Sequence, residues 1–128
     1  MINYIKIITL LMFSIFILSG CATWSHSSVE KHSDIGKNIV KTDAKKIIIS
    51  KEDITDRPYT ILADITAVVN KTTAFHANPT PELVNEKLKQ EAAKLGADAV
   101  ILVRYGKEGV SLMSWGSLEG KGRAIKFN

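Results

Sequence analysis

Cys21 is the residue best placed for covalent chemistry, and it is the only cysteine in the 128-residue chain. It closes the stretch Leu18-Ser19-Gly20-Cys21, a branched residue and two small ones ahead of a thiol, at the end of the apolar run "IITLLMFSIFIL". The types and their order suit one modification. A thiol sulfur is alkylated by a diacylglyceryl group, and small residues let the backbone enter a peptidase cleft. This is the pattern of the bacterial lipobox, in which cleavage after Gly20 leaves Cys21 as a lipid-bearing first residue. Gly20 and Cys21 are therefore the expected processing and lipidation positions. A lone cysteine also excludes an intrachain disulfide, so the fold must rest on its core.

The residues ahead of Cys21 agree with this reading. Lys6 precedes about twelve apolar residues, against the ~20 needed to span a bilayer as a helix. A short apolar core behind a positive charge is the pattern of a secretory signal peptide, assigned to residues 1–20. Ala22, rather than Asp, follows the cysteine. In a Gram-negative host that residue directs a lipoprotein to the outer membrane, on its periplasmic face. The membrane, reached through lipidated Cys21, is the first expected partner, and Trp24 is expected at the membrane interface.

The other candidate chemistry is weaker. His26 and His32 stand six residues apart without Cys or Asp partners, and are expected to be solvated rather than metal ligands. Within the second half, a ligand pocket would have to draw on His76, Asp98, Arg104 and Tyr105. No nucleophile elbow, HExxH or paired-carboxylate spacing is present, so no catalytic residue, no cofactor and no metal is expected. Gly116, Gly120 and Gly122 are not followed by a helical pattern, so they predict a bulge or a close backbone approach rather than a phosphate loop. The net charge is +4, and basic residues are interleaved with acids along the chain. No basic stretch interleaved with aromatics occurs, so nucleic acid is not an expected partner.

Elements must position whatever these residues do. Residues 21–43 are polar and without sustained period, and are expected to form a flexible tether. Residues 44–128 are expected to form one domain. "KKIIIS" predicts a strand at 45–50. "YTILADITAVV" alternates, placing Tyr59, Ile61, Ala63, Ile65, Ala67 and Val69 on one strand face. Thr80-Pro81-Glu82 opens a helix whose Leu83, Val84, Leu88, Ala92 and Leu95 form the apolar stripe, with Gly96 as its terminator. "ADAVILVRY" reads as a strand covered on both faces, either by a subunit contact or by a loop holding Leu112, Met113 and Trp115. "GKEG" turns the chain, and "SLEGKGRAIKF" is the last strand. The expectation is an α+β domain of order β-β-α-β-β, a mixed sheet with one helix on one face.

"PYTILADITA", then "EAAKLGADAVILVR", then "GKGRAI" resemble the small YbjQ-type domain family and the similar RcsF-like domains of envelope lipoproteins. The likeness covers about residues 47–127 and is sharpest at "AAKLGADAV". It implies a compact, noncatalytic α+β domain. Some YbjQ-type domains assemble into rings and carry a heavy-metal-binding label. With no cysteine in the domain and His76 as its one soft ligand, metal binding is not carried over; the RcsF disulfide pattern is absent too. The expected function is a lipid-anchored, noncatalytic envelope lipoprotein acting as a protein-interaction or signalling module. An envelope protein or a second copy of the chain is its expected partner. The alternative is a small-ligand or metal-binding envelope domain.

Overall fold

In a computed structural model, which describes residues 3–4, 23–32, 39–73, 75–106, 109–111 and 114–128, the alternating stretch after Pro58 becomes the long strand β3 (Tyr59–Lys71). The strands before it are β1 (Thr23–Lys31) and β2 (Ile48–Ile49). After it come helix α1 (Pro81–Lys94) and strands β4 (Ala99–Tyr105), β5 (Gly109–Ser111) and β6 (Ser114–Phe127). The sheet runs β1-β3-β6-β4-β2, with β5 paired to β6. Only β2 and β4 pair in parallel; the other pairings are antiparallel. The α+β class, the mixed sheet and the single packed helix match the sequence expectation, with β1 and β5 as additions.

Helix α1 forms where its local signals agree. Thr80 is the N-cap residue, Pro81 takes the first turn and Glu82 lies near the positive end of the helix dipole. The Thr80 hydroxyl bonds the Glu82 carboxylate instead of a backbone amide, holding that carboxyl below its usual range. Val84, Leu88 and Ala92 are fully buried against the sheet. Burying Val84 and Leu88 contributes about 1.5–3 kcal/mol each. Leu83, expected in the same stripe, is 41% exposed. It sits one residue off the buried row, about 100° round the helix axis. The helix ends at Gly96, whose φ of 72° is left-handed. A Cβ there would also lie 2.7 Å from the Val40 carbonyl oxygen.

Small residues under the helix set how closely it approaches. A Cβ on Gly120 would fall 2.2 Å from Val84 Cγ1, and one on Gly122 2.5 Å from Val100 Cγ1. Of the bulge or close approach expected at these glycines, Gly120 and Gly122 make a close approach, to side chains of α1 and β4 respectively, and Ala63, Ala67 and Ala124 continue the small-residue floor.

Two irregularities decide what lies on the opposite face. The β3–β6 register shifts between Ile61 and Ala63. Tyr59 and Ile61 consequently pack with Ile101 and Ile125 on the far side, while Ala63, Ile65, Ala67 and Val69 face the helix. The single face expected for all six residues is thus split by a bulge. The second shift lies between Ile101 and Arg104, where Leu102 adopts φ 55°. Ser50 spans this bulge, donating to Val100 O (2.9 Å) and accepting from Val103 N (3.0 Å).

Among the described residues, the far side of β4 is covered by the β2–β3 connection. Ile54, in the β2–β3 connection, packs there with Tyr59 and Phe127 over Ala99, Ile101 and Ile125. Leu112 and Met113, expected to provide that cover, lie outside the described residues, as do Lys107 and Glu108 of the expected turn.

The expected tether at 21–43 is largely part of the domain. Thr23–Lys31 pair with β3 from Thr23 opposite Lys71 to Lys31 opposite Ala63. Thr42 donates its amide to Ala93 O (3.1 Å) and its hydroxyl to Ala97 O (2.6 Å). The cause is backbone pairing and not side-chain burial. On β1, Val29 is the one apolar side chain packed against the core. Among the described residues, sheet pairing thus reaches back to Thr23 and does not start at residue 44. Gly20 and Cys21 lie outside the described residues.

Candidate functional site

The face of the sheet opposite α1 is a charged surface laid out by strand register. Directly opposed residues share a face. One row reads Glu30–Asp64–Arg123, the next Ser28–Thr66–Lys121–Arg104, the next His26–Val68–Glu119. Period two puts these side chains outward because their neighbours Ile65, Ala67, Gly120 and Ala124 are turned towards the helix.

Asp64 is the centre of this face. Its Oδ1 accepts from Arg123 Nε at 2.8 Å, and its Oδ2 meets His32 Nε2 at 2.6 Å and Arg123 Nη2 at 3.4 Å. The Arg123 hydrogen bonds hold the Asp64 carboxyl below its usual range; partial desolvation opposes this and His32 reinforces it. Arg123 is raised in turn, chiefly by the same bond. His32 is kept near Asp64 because its amide donates to Leu62 O (2.9 Å), extending the β1 ladder by one residue. A shallow cleft of about 370 Å³ lies here, lined by Ser28, Glu30, Asp64, Leu102, Lys121 and Arg123.

This set is a group of mutually paired donors and acceptors. The Arg123 guanidinium reaches both Asp64 oxygens, so the carboxylate is a poor base. Lys121 pairs with Glu119 at 3.2 Å. The acids Glu30 and Asp64 are neighbours across β1 and β3, the bases Lys121 and Arg104 are neighbours across β6 and β4, and the ion pairs among these groups are exposed enough to be weak. Among the described residues, no group of three His, Cys, Asp or Glu side chains is arranged to hold a metal ion.

The residues expected to line a ligand pocket do not converge. His76 Nδ1 meets Thr73 Oγ1 (3.0 Å) in the β3–α1 loop. Tyr105 donates to Asn85 Oδ1 (2.8 Å) on the helix side. Arg104 is exposed on the outer face. Asp98 accepts from Phe127 N (3.0 Å) at the other end of the sheet, beside a second cleft of about 420 Å³. His26 stacks on Trp24 with ring centroids 5.7 Å apart.

Sequence reasoning missed the His32–Asp64–Arg123 cluster. Asp64 stood with Thr60 and Thr66 on the more polar side of an alternating strand, which was a usable signal, whereas Arg123 alternates in phase with the apolar Ile125 and Phe127. His32 was assigned to the tether, and the pairing that brings it to Asp64 depends on a strand with no hydrophobic period. Two buried polar groups also lie outside the expectations. Lys71 Nζ is held by Asn78 Oδ1 (2.8 Å) and His76 O (3.4 Å). The buried Asn70 Nδ2 has no hydrogen-bond partner among the described residues.

No family model matches this chain, and no curated protein matches it. Two solved structures are similar to it. One is a protein of unknown function belonging to the DUF74 family from Pediococcus pentosaceus, at TM-score 0.48 and 21% identity, covering 64% of this chain and 98% of that one. The other is the Francisella virulence factor FvfA, at TM-score 0.49 and 11% identity, covering 79% of this chain and 97% of that one.

Proposed function

We propose that this protein is a lipid-anchored, noncatalytic envelope lipoprotein whose open sheet face docks a protein partner. The anchor rests on Leu18-Ser19-Gly20-Cys21 after a short apolar run. The docking role rests on one observation: a face, uncovered among the described residues, that sets the acids Glu30 and Asp64 beside the bases Arg123, Lys121 and Arg104. Such a face offers fixed hydrogen-bonding positions and steers a partner of complementary pattern more than it supplies raw affinity. Its groups engage one another, which suits exchange with a partner's charges better than substrate turnover.

The test has two parts. Cys21→Ser should move the protein out of the membrane fraction. In cells, a photo-crosslinking side chain at Thr66 should capture an envelope protein, while one at Lys89 on the helix should not. Unchanged fractionation would overturn the anchor. Capture from Lys89 alone would overturn the docking face.

A further inference from the structure

Cys21 is two residues ahead of Thr23, where β1 begins and is already paired with Lys71. Whatever its path, that segment extends no further than about 7 Å. A lipid on Cys21 therefore holds one end of the sheet at the bilayer. The opposite end, at Tyr59 and the β2–β3 connection, is about 40 Å along β3.

Three exposed apolar side chains lie toward the held end, while Val40 and Ile48, also exposed, lie toward the other. Trp24, one residue into β1, is 47% exposed. Phe75, in the loop that follows Lys71, is 99% exposed. Leu83, on the first turn of α1, is 41% exposed and shares a groove with Thr23 and Ser25. Lys71 fastens this end by its bonds to His76 O and Asn78 Oδ1. Trp24 lies on the sheet face away from the helix and Leu83 on the helix side, so the two flank the same end of the sheet, and Phe75 is in the loop that leaves it.

We propose that the Trp24–Phe75–Leu83 end of the domain rests on the lipid surface, so that the anchored domain stands with its strands across the membrane plane. The reading rests on the lipid anchor proposed above. The length of chain before β1 selects the bilayer as occupant: any other partner of these side chains would have to lie within the headgroup layer. Aromatic and apolar groups at that depth gain from partial burial while polar neighbours stay hydrated. This orientation leaves the Asp64 face upright and accessible from the side.

The test uses the full-length lipidated protein in vesicles of phosphatidylethanolamine and phosphatidylglycerol, doped with lipids brominated near the headgroup. Trp24→Phe with Trp115→Phe provides a background without tryptophan. Phe75→Trp, Leu83→Trp and Thr55→Trp are introduced singly, reporting the proposed end twice and the opposite end once. Loss of emission from the reporters at 75 and 83, with none from that at 55, is the expected result. Equal emission from all three in protein that floats with the vesicles would overturn the orientation while leaving the anchor intact. Failure of the unsubstituted protein to float would remove the anchor and the orientation together. Capture of a protein, rather than lipid, by a photo-crosslinker at position 75 in cells would also overturn it.

Discussion

The two faces of this sheet are built from the same strands by opposite means. The helix-covered face depends on shape: glycines and alanines form a floor, and Val84 and Leu88 fill the space above it. The open face depends on charge: Asp64, Arg123 and His32 meet at bonding distance while exposed to water. A close-packed face tolerates little change in volume. An exposed ionic face tolerates most substitutions and specifies what can approach. Close packing and exposed charge are thereby separated onto the two sides of one layer.

Substitutions on the two sides should differ most at Leu88 and Thr66. Leu88→Ala should lower the unfolding free energy by about 2–5 kcal/mol in urea titration. Thr66→Ala should stay within about 0.5 kcal/mol of the parent. Equal losses would break the contrast.

Gly120→Ala should cost about 1–3 kcal/mol through overpacking against Val84. In a double-mutant cycle, Val84→Ala should recover part of that loss, because it removes the methyl that the new Cβ meets. Additive costs would show that the helix does not set the requirement for glycine.

Arg123→Met should cost only about 0.2–1 kcal/mol, because the pair is partly exposed. Its sharper signature is in pH. The folded-state pKa of Asp64 is lowered, so the pair's contribution is fully present above the unfolded-state value of about 3.9. It is lost as pH falls through the folded-state value. The parent protein should therefore lose stability in acid more steeply than the Arg123→Met variant, as measured by thermal melting below neutral pH.

The smallest effect should come from Leu102→Gly. Relief of a left-handed backbone, worth about 1–2 kcal/mol, offsets the packing lost from a half-buried leucine. The net change should be a few tenths of a kcal/mol in urea titration, far below that of any core leucine.

How much was legible in the sequence follows the same division. Helix α1 announced itself through Thr80-Pro81 and the Val84–Leu88–Ala92 spacing, because its burial is written into side-chain type. The close approach at Gly120 and Gly122 was legible for the same reason, as was the left-handed stop at Gly96. Strand β1 was not. Its helix-facing positions Thr23, Ser25 and Ser27 lie at the sheet margin, where little apolar area is available to bury. Ser27 instead donates to Glu91, a carboxylate only 7% exposed. Burial opposes that charge most strongly, yet bonds from Lys94, Ser27 and Lys87 hold its pKa below the usual range. A polar anchor of this kind leaves no hydrophobic period to read. The bulges at Leu62 and Leu102 were equally silent, since alternation along one strand says nothing about where its partner slips register. The ion cluster around Asp64 needs both the hidden strand and the hidden register.

The position of β6 in the sheet has a consequence for how the chain comes to be folded at all. It lies between β3 and β4 and is third of the five strands along the sheet, yet it comprises residues 114–127, the last segment of the domain to be synthesised. Until it emerges from the ribosome, β3 and β4 have no shared partner, and the floor beneath the helix lacks Gly120, Gly122 and Ala124. Closure of the core is postponed until nearly the whole domain has been delivered. A nascent chain made only as far as β4 therefore lacks the strand that joins the two halves of its sheet.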